Sequence, residues 1–298
     1  MVNLTDNNQY LGAIEAGGTK FVCAIAPLSG RGEILAQTSF LTRDPISTLY
    51  GAIEFFRQNL PPASSLYGLG IGSFGPLGLN PALPNYGEIL ATPKKGWQDT
   101  DLITPFIKAF PGLKIAIDTD VNAAALAEGM YGAARDLHSY VYITIGTGIG
   151  GGVVTNNQLI KGQLHSEIGH LSIHQEITDS FIGACPFHEN CIEGLASGEA
   201  IQQRWGANAE TIPPDHPAWE LEATYIASLC QTLTAVLSPQ RIILGGGVMH
   251  QPQLLPMIRQ KFLMKAGDYW QIPADYLVTP ELGSQAGING AIELAKTV

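Results

Sequence analysis

Apolar residues recur along this chain with two spacings that alternate. YLGAIEAGG (10–18) and FVCAIAP (21–27) are short apolar runs separated by a glycine turn, and they predict two strands. EILAQTSFL (33–41) predicts a third, and SSLYGLGIGSFG (64–75) a fourth that ends in a Gly-rich loop. Between them PISTLYGAIEFFRQNL (45–60) has helical spacing, with Pro45 near its start. KIAIDTD (114–120) predicts a short buried strand and VNAAALAEGMYGAA (121–134) a helix, after which YVYITIGTGIGGGVVTNN (140–157) predicts a strand pair. Loops and a helix beginning near Ser197 follow. TYIASLCQTLTAVL (224–237) is a strongly apolar helix, and RIILGGGV (241–248) runs from strand into turn. QLLPMIRQKFLMKA (253–266) and SQAGINGAIELAKTV (284–298) predict further helices. Strands alternating with helices mark an α/β protein.

One pattern occurs twice. IEAGGTKFVCAIA (14–26) and ITIGTGIGGGVVT (143–155) both read strand, Gly-rich turn, strand. A duplicated α/β unit fits this echo, with a boundary near Asp118 and a cleft between the halves. The length of 298 residues accommodates two domains.

Composition narrows the classes of function. The net charge is −10, with only 16 Lys and Arg, which disfavours nucleic acid as a partner. No apolar run approaches the ~18 residues of a membrane span. MVNLTDNNQ has no basic residue ahead of an apolar core, so secretion is not expected and a cytoplasmic location is.

His170, Cys185, His188 and Cys191 form the pattern H-x14-C-x2-H-x2-C. Two thiolates and two imidazoles make a tetrahedral donor set that zinc accepts. Glu167 and Glu193 flank this segment and would be held near one point, as a polar ligand requires. The alternative is a Cys185–Cys191 disulfide across a short loop. Cys23 and Cys230 lie in apolar runs and read as buried small hydrophobes.

Gly146-Thr147-Gly148-Ile149-Gly150-Gly151-Gly152 formally contains G-x-G-x-x-G, but VVTNN follows where a dinucleotide fold needs a helix. A hairpin tip so poor in side chains exposes N–H groups that can bind phosphate oxygens. Gly17, Gly18, Thr19 and Lys20 offer a second such tip with a hydroxyl and a cation. The plainer reading makes these glycines, and Gly245, Gly246 and Gly247, tight turns only. Asp120 ends a strand and precedes a helix. It can cap that helix or accept a proton from a substrate hydroxyl. Asp118 is its rival, and Asn122 could hold a neighbouring hydroxyl.

EAGGTK, DTDVNAAALAE, IGTGIGGG, EIGH, the Cys/His cluster ending in IEG, and ILGGGV occur in this order from Gly12 to about Ala295. Together they resemble the ROK family of sugar kinases. C-P-x-H-x-x-C in place of C-x-C-G-x-x-G-C, Glu15 in place of Asp, GSFGP and TPKKGW resemble its bacterial fructokinase branch. The repressor branch, with a DNA-binding extension, is a poorer match.

The resemblance implies the actin-like ATPase (sugar kinase/Hsp70/actin) fold, two lobes with a central cleft. Residues 1–118 and the C-terminal helix 284–298 would form one lobe. Residues 119–283, with the zinc-binding segment 165–194, would form the other. It implies ATP-dependent phosphorylation of D-fructose to fructose 6-phosphate. Glucose, mannose or an N-acetylated amino sugar is the nearest alternative, and a sugar-sensing protein without catalysis or an actin-like or chaperone ATPase is a more distant one. Asp120 becomes the general base toward the 6-hydroxyl. Glu167, His170 and Glu193 become sugar ligands, with Asn122 beside the base less secure because Thr119 stands where members carry Asn. Gly17, Gly18, Thr19, Lys20, Gly146, Thr147 and Gly148 would line the phosphate path, and Gly245, Gly246 and Gly247 the adenosine. Structural Zn²⁺ on His170, Cys185, His188 and Cys191, Mg²⁺ entering with ATP, and a homodimer complete the expectation.

Overall fold

The structure, a computed structural model, describes residues 8–30 and 32–298. Contacts divide it into two compact units. The first holds the described residues through Ala127, with Lys161–His165 and Ser284–Val298. The second holds Glu128–Ile160 and Ser166–Gly283.

In the first unit the strands are β1 (Gln9–Ala16), β2 (Lys20–Pro27), β3 (Ala36–Leu41), β4 (Ser65–Ser73), the short pair β5 (Glu88–Ile89) and β6 (Thr100–Asp101), and β7 (Lys114–Thr119). Helices α1 (Pro45–Asn59) and α2 (Thr104–Ala109) lie between them, and α3 (Asp120–Tyr131) starts directly after β7. The main sheet has the order β3-β2-β1-β4-β7, antiparallel across β3-β2-β1 and parallel across β1-β4-β7.

Side chains alternate across this sheet with the period of two that strands impose. Ile14, Ala16, Phe21, Cys23 and Ile25 pack with α1 residues such as Ala52 and Phe56. Leu11, Ala13, Val22, Ala24 and Ala26 face the opposite way, onto Ile288, Ala291, Ile292 and Ala295 of the C-terminal helix (Ala286–Ala295). That helix lies so close to β4 that a Cβ on Gly70 would fall on the Ala291 carbonyl and the Ala295 nitrogen. Each fully buried Ile, Leu or Phe contributes ~1.5–3 kcal/mol to such a core.

The second unit repeats the plan. Its strands are β8 (Tyr140–Ile145), β9 (Ile149–Thr155), β10 (Gln158–Leu159), β11 (Arg241–Gly245) and β12 (Leu277–Val278). Its helices are α4 (Ile192–Ala196), α5 (Gly198–Trp205), α6 (Ala218–Leu237) and α7 (Leu254–Ala266), and the C-terminal helix is α8. The sheet order is β10-β9-β8-β11-β12, again antiparallel and then parallel about its first strand. The two echoing sequences are therefore β1-β2 and β8-β9, which hold the same two places in their sheets. No helix among the described residues is long and apolar enough to cross a membrane.

Several local expectations shift. The third strand spans only Ala36–Leu41, α8 is shorter than 284–298, and α6 starts six residues before its apolar run. The first two turns of α3 group with the first unit, beyond the expected boundary at Asp118. Ala123 is the reason: Gly290 of α8 sits directly on its carbonyl, and Gly72 of β4 faces its methyl.

Candidate active site and metal centre

Strand register lines up three chain exits in the first unit. Ala16 pairs with Ser73, and Ser73 pairs with Thr119. The β1–β2 turn, the GSFGP loop and Asp120 thus leave the sheet from one row, at the carboxyl ends of its parallel strands. Ligands of open α/β sheets gather at that edge.

The β1–β2 turn closes through Gly17 N–H donating to Lys20 O at 2.9 Å. The Thr42 hydroxyl pins it by donating to Gly17 O at 2.7 Å. Gly18, Thr19 and Lys20 are exposed. The TPKKGW loop reaches the same turn. Trp97 is fully buried against Phe21 and Phe74, and its Nε1 donates to Arg43 O. Half-buried Lys94 passes 4.0 Å from the place a Cβ on Gly18 would take. Lys94 is a cation at this turn that spacing did not single out.

Asp120 is the first residue of α3, but it is not the residue that caps the helix. Thr119 Oγ1 accepts from Asn122 N–H at 3.1 Å, the capping bond of the first turn. Asp120 Oδ1 accepts from the adjacent Val121 N–H at 2.8 Å. Asp120 is half-buried, and its charge is felt at Glu15. Burial raises the Glu15 carboxyl to about 7, with Lys20 opposing the shift and Asp120 adding to it. Base candidate, turn lysine and Glu15 therefore share one neighbourhood.

Asp118, the rival base, is fully buried. Its Oδ1 accepts from Asn122 Nδ2 at 2.6 Å and from Thr119 N–H at 2.8 Å, and its Oδ2 lies 2.7 Å from Lys161 Nζ. Asn122 is itself 2% exposed. Its amide nitrogen is directed to Asp118, away from solvent.

In the second unit the β8–β9 turn closes through Gly146 N–H donating to Gly148 O at 2.9 Å. Gly198 N–H, at the start of α5, donates to Gly146 O at 2.7 Å. Thr147 at the tip is exposed. Gly246 (φ +93°) sits on the backbone of Ile145, and Gly245 on Pro280 and Tyr142, so these two are needed for close packing. Gly146 and Gly247 have nothing within 4 Å of a Cβ position. The glycine runs therefore divide into packing positions and open ones. Gly246 follows β11, whose Gly245 pairs with Thr144 of β8, so both glycine turns leave one sheet edge.

His170, Cys185, His188 and Cys191 converge, their donor atoms all within 4.8 Å of one another. His170 Nδ1 lies 3.7 Å from Cys185 Sγ and 3.6 Å from Cys191 Sγ, and His188 Nδ1 lies 3.9 Å from Cys185 Sγ. A tetrahedron with bonds of ~2.3 Å to sulfur and ~2.0 Å to nitrogen has edges of ~3.3–3.8 Å, so this donor set fits a metal ion. Both cysteines are free thiols, which removes the disulfide alternative; Cys23 and Cys230 are free and buried. Burial pushes the Cys191 thiol up to about 11 in the metal-free chain, and a bound cation reverses that.

The knuckle is built locally. Cys185 and Glu189 exchange backbone hydrogen bonds, and Gly183 (φ +112°) and Gly194 both pack on Glu189 O. Cys191 then leads into α4, where Glu193 Oε2 accepts from Ile149 N–H at 2.9 Å and lies beside Gly148. Glu167 is exposed at the start of the Ile168–His170 turn, and half-buried His170 ends it. Gly151 and Gly169 press that turn onto β9.

A sequence model of the ROK family matches residues 11–298. The chain belongs to the ROK family. This ROK protein is 43% identical over 288 residues to a fructokinase of Pediococcus pentosaceus, covering 96% of this chain and 97% of that one. It is 43% identical to a fructokinase of Zymomonas mobilis, with 98% of each chain covered. Among solved structures, a ROK hexokinase from Thermus thermophilus superposes with a TM-score of 0.76 at 25% identity, over 97% of this chain and 98% of that one. The fold of this ROK protein is accordingly that of the sugar kinases, the actin-like ATPase fold.

Proposed function

We propose that this protein is an ATP-dependent sugar kinase that phosphorylates D-fructose to fructose 6-phosphate. One observation carries the chemistry: half-buried Asp120 leaves the end of β7 in one row with the β1–β2 turn, and its charge reaches Glu15 beside Lys20. The similarity to named fructokinases supports the choice of sugar.

Phosphoryl transfer needs alignment and charge neutralisation more than covalent help. The Asp120 carboxylate takes the proton of the sugar 6-hydroxyl as its oxygen bonds to the γ-phosphorus and the bond to the ADP oxygen breaks. The N–H groups of Gly18, Thr19, Thr147 and Gly148, with Lys20, take phosphate oxygens on turns that Gly17 and Gly146 close. Mg²⁺ bound with ATP would neutralise phosphate charge, and Glu15 and Asp120 are the carboxylates that would face it. Glu167, His170 and Glu193 hold sugar hydroxyls, and Gly247, exposed after the packed Gly245 and Gly246, borders the adenosine. The Cys/His set would hold Zn²⁺ in a structural role, and that ligation would orient His170. A homodimer is the proposed assembly, and the four free thiols fit a reducing, cytoplasmic setting.

A coupled ADP-release assay across fructose, glucose, mannose and N-acetylated amino sugars tests this reading. Fructose should give the highest kcat/KM. Preference for another hexose moves the substrate within the kinase class, and absence of ADP release with every sugar overturns the enzyme assignment in favour of a sugar-sensing protein.

A further inference from the structure

We infer that Lys161 is a positioning residue for Asp120, acting through the buried carboxylate of Asp118. The inference rests on the reading of Asp120 as general base.

Lys161 stands apart from the glycine and Cys/His motifs, in the short run Lys161–His165 between β10 and the Cys/His segment. By its contacts that run belongs to the first unit. Lys161 and His165 form a bridge with each other, and His165 Nε2 accepts from Leu77 N–H at 3.1 Å, which moors the run beside the loop after β4. From there Lys161 Nζ reaches Asp118 Oδ2 at 2.7 Å. The approach is an ion pair rather than an aligned hydrogen bond.

Asp118 is 0% exposed at the end of β7. A carboxylate taken that far from water stays ionised only beside a counter-charge. Its register partner on β4 is Gly72, and Ser73 beside it pairs with Thr119; both are uncharged. From α3 it meets the neutral amide of Asn122, with the like charge of Asp120 two residues on. From the Lys161–His165 run it meets Lys161, while the titratable ring of His165 is directed to Leu77. Lys161 is thus the cation paired with Asp118.

The other oxygen of Asp118 shows what that charge does. It ties Asn122, in the first turn of α3, back to the end of β7, while Thr119 receives the Asn122 N–H. Asp120 lies inside this loop of bonds, between the strand end and the tethered turn. A carboxylate that must meet a hydroxyl proton within hydrogen-bond reach is sensitive to the placement of that turn, since a shift of ~1 Å can cost ~10²-fold in rate.

The test compares Lys161→Met, Lys161→Arg, Asp118→Asn, the double variant K161M/D118N and Asp120→Asn in the full-length enzyme. K161M should lose ~10- to 100-fold in kcat, with K161R recovering much of it. In K161M the KM for sugar should stay near wild type, so that the loss falls on kcat, as expected of a group that places the base rather than the substrate. The kcat loss of the double variant should match the larger single loss rather than the product of both.

If D120N is inactive while K161M keeps wild-type kcat, the positioning role is wrong and the base assignment stands. If D120N turns over normally, the base assignment itself has failed. Multiplying losses in the double variant would show that Lys161 acts independently of Asp118 and overturn the inference. Should K161M not fold, Lys161→Gln carries the same comparison; a lowered melting temperature with unchanged kcat in either variant would reduce Lys161 to a structural ion pair.

Discussion

Glu193 Oε2 accepts the backbone N–H of Ile149 at 2.9 Å. This one bond joins the helix that follows Cys191 to the glycine turn between β8 and β9. The candidate metal knuckle and the turn proposed to take phosphate are therefore mechanically linked within one unit. Removing the carboxylate strands a half-buried N–H that had a charged acceptor. Glu193→Ala should lower stability by ~1.5–3 kcal/mol and raise KM for ATP as the turn loosens, while Glu193→Gln retains most of the stability. Thermal melts and initial-rate kinetics on both variants check this.

The same linkage makes the metal a stability element. An ion present at ~1,000 times its dissociation constant adds ~4 kcal/mol to the folded state, which corresponds to on the order of 10 °C in Tm for units of this size. Chelation, or Cys191→Ser, should lower Tm by about that amount, and elemental analysis of the purified protein should find one zinc per chain. A metal-free preparation of full activity and unchanged Tm contradicts both zinc and its structural role.

Asp120→Asn keeps the size of the side chain and the bond to Val121 N–H. It should leave the melting temperature and sugar binding near wild type and reduce kcat by at least ~10²-fold, the range general-base assistance supplies. Calorimetric sugar titration alongside the rate assay separates binding from turnover.

The glycines give a contrasting pair. Gly246 holds φ +93° against the Ile145 backbone, so Gly246→Ala should destabilise by ~1–3 kcal/mol through strain and overlap. Gly146 has open space around its Cβ position, so Gly146→Ala should change stability by no more than ~0.5 kcal/mol. Its methyl would instead intrude where phosphate approaches, and KM for ATP should rise. An unaltered KM would return Gly146 to the role of a simple turn residue.

Glu15 predicts a pH dependence. Its carboxyl is raised from 4.5 to about 7 in the fold, chiefly by burial. The folded protein then binds this proton more tightly than the unfolded chain, so Glu15 costs nothing below pH ~4.5 and lowers stability as pH rises toward ~7. Glu15→Gln should therefore match wild type near pH 4.5 and exceed it at pH 8, by at most ~3 kcal/mol. Urea denaturation across pH 4.5–8 measures the difference, and a constant offset at every pH would show that the carboxyl does not titrate differently on folding.

The chain's local order was legible before any coordinates. The short apolar runs over 10–16 and 21–27 are strands, each bounded by turn residues, and the glycine interruption between them had to be a turn. The echo between 14–26 and 143–155 disclosed the repeated sheet for the same reason. Three metal ligands lie within seven residues, so proximity in sequence already ensured proximity in space.

Tertiary structure decided whatever depends on distant partners. Periodicity cannot distinguish Asp118 from Asp120, two residues apart at one strand end; burial and the ion pair to Lys161, 43 positions away in the chain, separate them. It cannot say that Thr119 caps α3 or that Asn122 turns inward to Asp118, because hydrogen-bond direction follows the packing around it. Nor can it sort Gly246 from Gly146, since what a Cβ would strike belongs to another strand. Local pattern determines which elements form; which polar groups are buried together, and hence which carboxylate stays at hand for chemistry, is settled only when the sheets pack.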